Sequence, residues 1–167
     1  MKSVFILLVA GFASLLVGCS STPVVLAPVG PNPAGSESMA SMGALQVFSS
    51  LVGQSEGDNP TWYQHTDYPI YDLRGKRLKH VDNTVGYYEQ APRRVALPAG
   101  RFLVKAQAHD YSWVVVPVLI QNGRTTRVHL DDHWTLPANA PKRELVSMPN
   151  GDPVGWRAGS TNAIGIN

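Results

Sequence analysis

Three patterns of apolar and polar positions follow one another along the chain. Apolar residues dominate from Val4 to Val17; residues 20–42 are mostly Pro, Gly, Ser and Ala with one charge, Glu37; from residue 43 onward apolar side chains recur at every second position. Period two puts alternate side chains on one face of a strand, and no segment after residue 43 carries the i, i+3, i+4, i+7 stripe of a capped helix. The alternation predicts a first strand near residues 44–52, a loop over 53–60 and a hairpin in which residues 62–73 return through 77–81 around Gly75. Residues 93–97 form a short strand, Pro98-Ala99-Gly100 a turn, and residues 101–108 a strand with Phe102, Val104, Ala106 and Ala108 on one face. Residues 113–121 read as a nearly continuous apolar strand that returns through 124–130 across Asn122-Gly123, a type I′ hairpin signal. A last hairpin sets Leu145-Val146-Ser147 against Val154-Gly155-Trp156 across Pro149-Asn150-Gly151-Asp152. Pro69 and Pro117 mark an edge strand or a bulge, because proline cannot donate to a ladder.

Short strands at intervals of roughly 8 to 12 residues, with turn chemistry between them, predict an all-β domain, a sandwich rather than a parallel sheet. The chain divides into an export signal (1–18), Cys19 and a disordered tether (19–42), a β-sandwich domain (43–159) and a polar tail (160–167). A single cysteine excludes an internal disulfide, so stability must come from a packed core. Removing residues 1–18 leaves about 149, which suits one domain. It also takes away Lys2, leaving 13 basic against 12 acidic residues. That near balance argues against nucleic acid and against electrostatic membrane binding, both of which need a basic patch.

The N-terminal order of Lys2, an apolar stretch, small residues and a cysteine is that of an export signal. The alternative is an uncleaved transmembrane anchor, which needs roughly 20 apolar residues. Gly11, Ser14 and Gly18 within the stretch, and the polar Ser20-Ser21-Thr22 after it with no positive cluster, argue against that. Leu16-Val17-Gly18-Cys19 resembles the lipobox of bacterial lipoproteins at all four positions. The resemblance implies diacylglycerol on the Cys19 sulfur, cleavage before it and N-acylation of the new terminus. Two or three acyl chains anchor stably where one does not. Ser20 after the cysteine implies sorting to the outer membrane, facing the periplasm. A tether of about 23 Gly/Ser-rich residues has a reach on the order of 25 Å, which leaves the domain's orientation free.

Val95-Ala96-Leu97-Pro98-Ala99-Gly100-Arg101-Phe102-Leu103-Val104-Lys105-Ala106, followed later by Gly123-Arg124-Thr125-Thr126-Arg127-Val128, resembles the strand, turn, strand core of PEGA-like and carboxypeptidase-regulatory-like (transthyretin-like) domains. The resemblance covers residues 44–131. It implies an immunoglobulin-like or prealbumin-like sandwich of about seven strands, usually non-catalytic. Residues 82–91 form an insert outside that pattern.

Candidate chemistry is sparse. Of His65, His80, His109, His129 and His133, none has Cys/His pair spacing or lies in a His-Glu-x-x-His motif. His129 and His133 are the nearest pair, but four residues of strand set them about 13 Å apart. They could share a metal with Asp131 or Asp132 only if the chain turns after Leu130; otherwise they are surface histidines beside an acidic turn. There is no Gly-x-Ser-x-Gly elbow, and the one cysteine is assigned to lipid. Asp67, Asp72, Asp82, Glu89, Asp110, Asp131, Asp132, Glu144 and Asp152 read as solvated turn residues, although two could pair across a cleft.

Aromatic residues are the stronger lead, since Trp62, Tyr63, Tyr68, Tyr71, Tyr87, Tyr88, Tyr111 and Trp113 lie in or beside loops and edge strands. Trp62, Tyr71 and Trp113 read first as core. Tyr87 and Tyr88, adjacent in extended chain, point to opposite sides. With Asp82, Asn83, Glu89 and Arg93 they form the expected contact loop, for glycan, peptidoglycan or another protein. The expected function is that of a non-catalytic interaction or structural module on a lipid anchor, with no cofactor beyond the covalent lipid. The alternative is a glycan-binding domain, or a carbohydrate-active or metal-dependent enzyme.

Overall fold

A computed structural model describes residues 22–33, 41–54, 62–83 and 91–159. Cys19, its preceding apolar run, Tyr87, Tyr88, Glu89 and residues 160–167 lie outside them. The described chain is all-β, with one three-residue 3-10 turn at Lys142–Glu144. Among the described residues no helix is long and apolar enough to cross a membrane.

The strands in chain order are β1 (Val24–Val25), β2 (Val29–Gly30), β3 (Gly43–Phe48), β4 (Leu51–Gln54), β5 (Trp62–His65), β6 (Tyr68–Tyr71), β7 (Arg77–Val81), β8 (Arg94–Leu97), β9 (Gly100–Ala108), β10 (Tyr111–Ile120), β11 (Thr125–His129), β12 (Leu145–Ser147) and β13 (Pro153–Arg157). The large sheet runs β12-β13-β2-β10-β9-β6-β7, with β1 also paired to β10. A smaller sheet runs β11-β3-β8, and β4 pairs with β5. The two larger sheets pack face to face like a sandwich. Val114, Val116, Val118 and Ile120 of β10, Val104 and Ala106 of β9 and Ile70 of β6 meet Leu45, Val47, Val95, Leu97 and Val128 of the smaller sheet in one buried core. Each set is a run of alternate positions, the pattern of a strand with one face buried.

The hairpin at Gly75 forms as the sequence predicts. Gly75 has φ 81°, and the Asp72 carboxylate accepts the N–H groups of Arg74 and Lys76, each at 2.9 Å. The last hairpin pairs Leu145 with Trp156 and Val146 with Gly155. Other expectations change. The strands at 44–52 and 62–73 each break in two, because the chain leaves one sheet for another at Ser49-Ser50 and at Thr66-Asp67. With these breaks the described strands number thirteen where about seven were expected.

The turn predicted as a hairpin at Asn122-Gly123, and the turn at Pro98-Ala99-Gly100, both carry the chain between sheets. After β10, Arg124 donates its N–H to the Gln121 carbonyl, and of the two central residues only Gly123 has positive φ, 69°. A type I′ turn requires positive φ at both. The chain therefore splays away from β10, and β11 lies parallel to β3, Thr125 opposite Ala44 and His129 opposite Phe48. Pro98-Ala99 likewise passes from β8 in the small sheet to β9 in the large one.

Both prolines lie in interior strands rather than at an edge. Pro69 of β6 falls outside the ladder with β9, which consists of Ile70 and Tyr71, and a bulge at Ile70/Tyr71 follows it. Pro117 of β10 falls between two short parallel ladders, Val24 and Val25 with Val114 and Val115, and Val29 with Val118. Its missing N–H thus sits where no strand faces it.

Those two ladders place part of the segment read as a largely disordered tether on the large sheet. Residues 22–33 lie along the large sheet, with Val29 fully buried and Leu26 nearly so. Two-residue strands are too short for alternation to register, and the segment's Pro and Gly content masked Val24, Val25, Leu26 and Val29.

Candidate functional site

The outward positions of β11 start the site. Thr126 and Val128 point into the core, leaving Thr125, Arg127 and His129 on the opposite face. The parallel register sets His129 beside Phe48, whose ring stacks on the imidazole at 4.3 Å between centroids and 15° between planes. Beyond Leu130 the chain does turn, with Asp132 at φ 59°, and brings Trp134 back over the other face of His129 at 4.6 Å and 8°. Trp156 of β13 meets Trp134 edge-on at 6.3 Å and 76°. The result is a pile of rings, Phe48, His129 and Trp134, with Trp156 closing one side. Beside it opens a cleft of about 130 Å³ lined by Asn32, Thr125, Arg127, His129, Trp134 and Trp156 among others. Pockets that enclose a small molecule run to roughly 300 Å³ or more. This cleft has room for one ring or side chain of a larger ligand.

Burial, then the nearby Arg127 guanidinium and His65, lower the His129 pKa from 6.5 to about 4. The ring is therefore neutral at pH 7. His65, itself buried, donates its Nδ1–H to the Ser49 carbonyl at 2.6 Å and meets Phe48 edge-on. Burial raises the pKa of Asp131 against the opposing pull of backbone N–H groups and of His65 and His133, and its Oδ1 is buried with no hydrogen-bond partner among the described residues. Behind the ring pile, then, lies a small titratable cluster out of reach of solvent. In front lies a neutral aromatic surface with one exposed guanidinium. Such a surface can stack on the apolar face of a ring and pair with a carboxylate.

The structure separates the other predicted residues. His133 is exposed, with its Nδ1 3.0 Å from an Asp132 carboxylate oxygen, and among the described residues it does not join His129 in a group of close ligand atoms. Among the described residues the group whose ligand atoms come within 4.8 Å of one another is Asp67, His80 and Asp82. His80 stands 3.8 Å from Asp67 and 3.6 Å from Asp82, all three substantially solvated. Asn83 is fully buried, which corrects its reading as a surface contact. Its amide donates to the Val47 carbonyl at 2.9 Å and the Ser49 hydroxyl at 3.1 Å, and accepts the Arg93 N–H at 3.1 Å. Asp82 and Arg93 are exposed. Trp113 is 38% exposed rather than core, Trp62 and Tyr71 are half-buried, and Tyr68 is fully buried.

Comparisons with protein-family models, with curated proteins and with solved structures each return no match. The reading of the site rests on its geometry. Trp134 and Trp156 were not among the sequence candidates. The available signal was the outward triplet Thr125, Arg127 and His129 followed by a Trp just beyond an Asp-Asp turn.

Proposed function

We propose that the protein is a lipid-anchored bacterial envelope protein whose β-sandwich holds a ligand through the cleft beside Trp134 and Trp156 without transforming it. The observation that carries the binding role is the stack of Trp134 on a neutral His129 with Arg127 alongside. A general base works best with a pKa near the working pH, and about 4 is far from it. The ring pile instead offers a flat, desolvated face, and Arg127 offers a charge-assisted donor. That pairing suits a saccharide ring carrying a nearby carboxylate, as peptidoglycan does. The anchor is supported by Leu16-Val17-Gly18-Cys19 and the apolar run before it.

The test is sedimentation of the detergent-solubilised full-length product with purified peptidoglycan, after intact-mass measurement. The mass should show loss of residues 1–18 and acyl chains on Cys19. Trp134→Ala and Arg127→Ala should each weaken retention roughly tenfold, since stacking contributes about 1 kcal/mol and a charged hydrogen bond somewhat more. Absence of retention, or retention unchanged in both variants, overturns the glycan reading and leaves a protein partner.

A further inference from the structure

We infer that the face around Trp113 is a membrane-contact surface, resting against the bilayer that holds the protein's own anchor. The inference rests on the lipid attachment proposed above and concerns what the docking of β1 does to it. A free tether through residue 42 would let the domain roam. Instead β1 is hydrogen-bonded into the large sheet, Val24 opposite Val114 and Val25 opposite Val115, and the Leu26 N–H donates to the Val115 carbonyl at 2.9 Å. The chain is thus held by the domain from the start of β1. Only Ser20 and Ser21 separate Thr22 from Cys19, and whatever their conformation the three steps from Cys19 to Thr22 span at most about 11 Å. The leash reaches only a few ångströms beyond a headgroup layer, which is roughly 5–8 Å deep.

The surface at the domain end of that leash has the composition of an interfacial contact. Thr22, Val24, Lys105, Tyr111 and Trp113 line a hollow of about 280 Å³. A bulge between Tyr111 and Val114, one extra residue of β10 against β9, carries Trp113. Bulges re-aim side chains, and Trp113 is 38% exposed beneath the Lys105 ammonium, 5.5 Å from its ring centre. Val25, 68% exposed, lies on the strand that borders the hollow. Trp and Tyr settle at the level of lipid headgroups, and a Lys stem lies along apolar surface while its ammonium stays wet. Asp110 also lines the hollow, so the patch carries no net charge from Lys105 and Asp110 together. Attraction here is interfacial rather than electrostatic, and it should persist in salt.

The test uses the full-length acylated protein reconstituted in phosphatidylethanolamine vesicles containing a phospholipid with brominated tails, a short-range quencher of Trp fluorescence. The expected result is quenching of a minority of the emission, since the chain has four Trp residues, with little change in 0.5 M salt. Trp113→Phe should abolish most of it. Inserting 20 Gly/Ser residues between Ser21 and Thr22, which leaves every residue of the domain untouched, should cut it at least in half. Quenching equal in wild type and Trp113→Phe, quenching unaffected by the insertion, or none at all in protein whose mass carries the acyl chains, overturns the inference. A mass without acyl chains overturns the anchoring itself, and it is read before any vesicle is made.

Discussion

Removing the Asn83 amide should destabilise the domain more than removing any exposed polar group. β8 pairs with β3 from Leu97–Gly43 as far as Arg94–Gln46. The next rung would join Arg93 to Val47, and the Asn83 amide takes its place, donating to the Val47 carbonyl and accepting the Arg93 N–H. The same residue donates its backbone N–H to the Asp67 carboxylate at 2.7 Å, so one residue ties three separate segments together. Asn83→Ala removes the hydrogen bonds to the Val47 carbonyl, the Ser49 hydroxyl and the Arg93 N–H, each worth about 1 kcal/mol, for a total of roughly 2–4 kcal/mol. For a chain of this size that is a fall in Tm of about 5–15 °C. Asn83→Asp sharpens the test. At pH 7 it sets a carboxylate against the Val47 carbonyl and should cost at least as much, whereas protonation at low pH restores a donor, so its deficit should shrink as pH falls towards 4. Thermal melts of both variants at pH 7 and pH 4.5 provide the measurement. An Asn83→Ala protein within about 0.5 kcal/mol of wild type would refute the role of this amide as a surrogate rung.

Further predictions concern pH, packing and an unsatisfied hydroxyl. Because the folded pKa of His129 lies near 4 against 6.5 when exposed, the unfolded chain takes up a proton that the native state refuses. Its contribution is therefore fully present above pH 6.5 and lost as pH falls towards 4, by at most about 3 kcal/mol. Urea titrations across that range should show the slope, and His129→Phe, which keeps a ring in the pile, should flatten it. Gly43→Ala should cost about 1–3 kcal/mol or more, because the new methyl meets the Gln121 carbonyl oxygen and lies 2.6 Å from Ile120 Cγ2, where the two sheets touch. A melt within experimental error of wild type would count against so close an approach. Tyr68 is fully buried, burial pushes its phenol pKa up, and its hydroxyl has no hydrogen-bond partner among the described residues. Tyr68→Phe should accordingly leave Tm unchanged or raise it by the equivalent of about 1 kcal/mol, and a clear fall would reveal a hidden partner.

Turn chemistry and alternation were legible where the deciding contacts are local. Asp72 and Gly75 specify their hairpin through hydrogen bonds within five residues, and Val104, Ala106 and Ala108 face the core as their spacing demands. Alternation says which face of a strand is buried but not which sheet the strand joins. For that reason the breaks after Phe48 and His65, and the parallel pairing of β11 with β3, could not be read from spacing. The ring pile depends on that pairing and on the left-handed turn at Asp132, so His129 was visible as a histidine but not as the centre of a stack. Asn83 looked like an exposed loop residue because its partners Val47 and Ser49 lie more than 30 positions away.

The position of β1 and β2 also bears on when the molecule can fold. Val24 and Val25 leave the ribosome early, yet their ladder is completed by Val114 and Val115, and Gly30 must wait for Trp156. Pairings so distant in sequence form slowly and late. The large sheet therefore cannot close around its first strands until nearly the whole polypeptide is available, which leaves the nascent chain open for most of its synthesis.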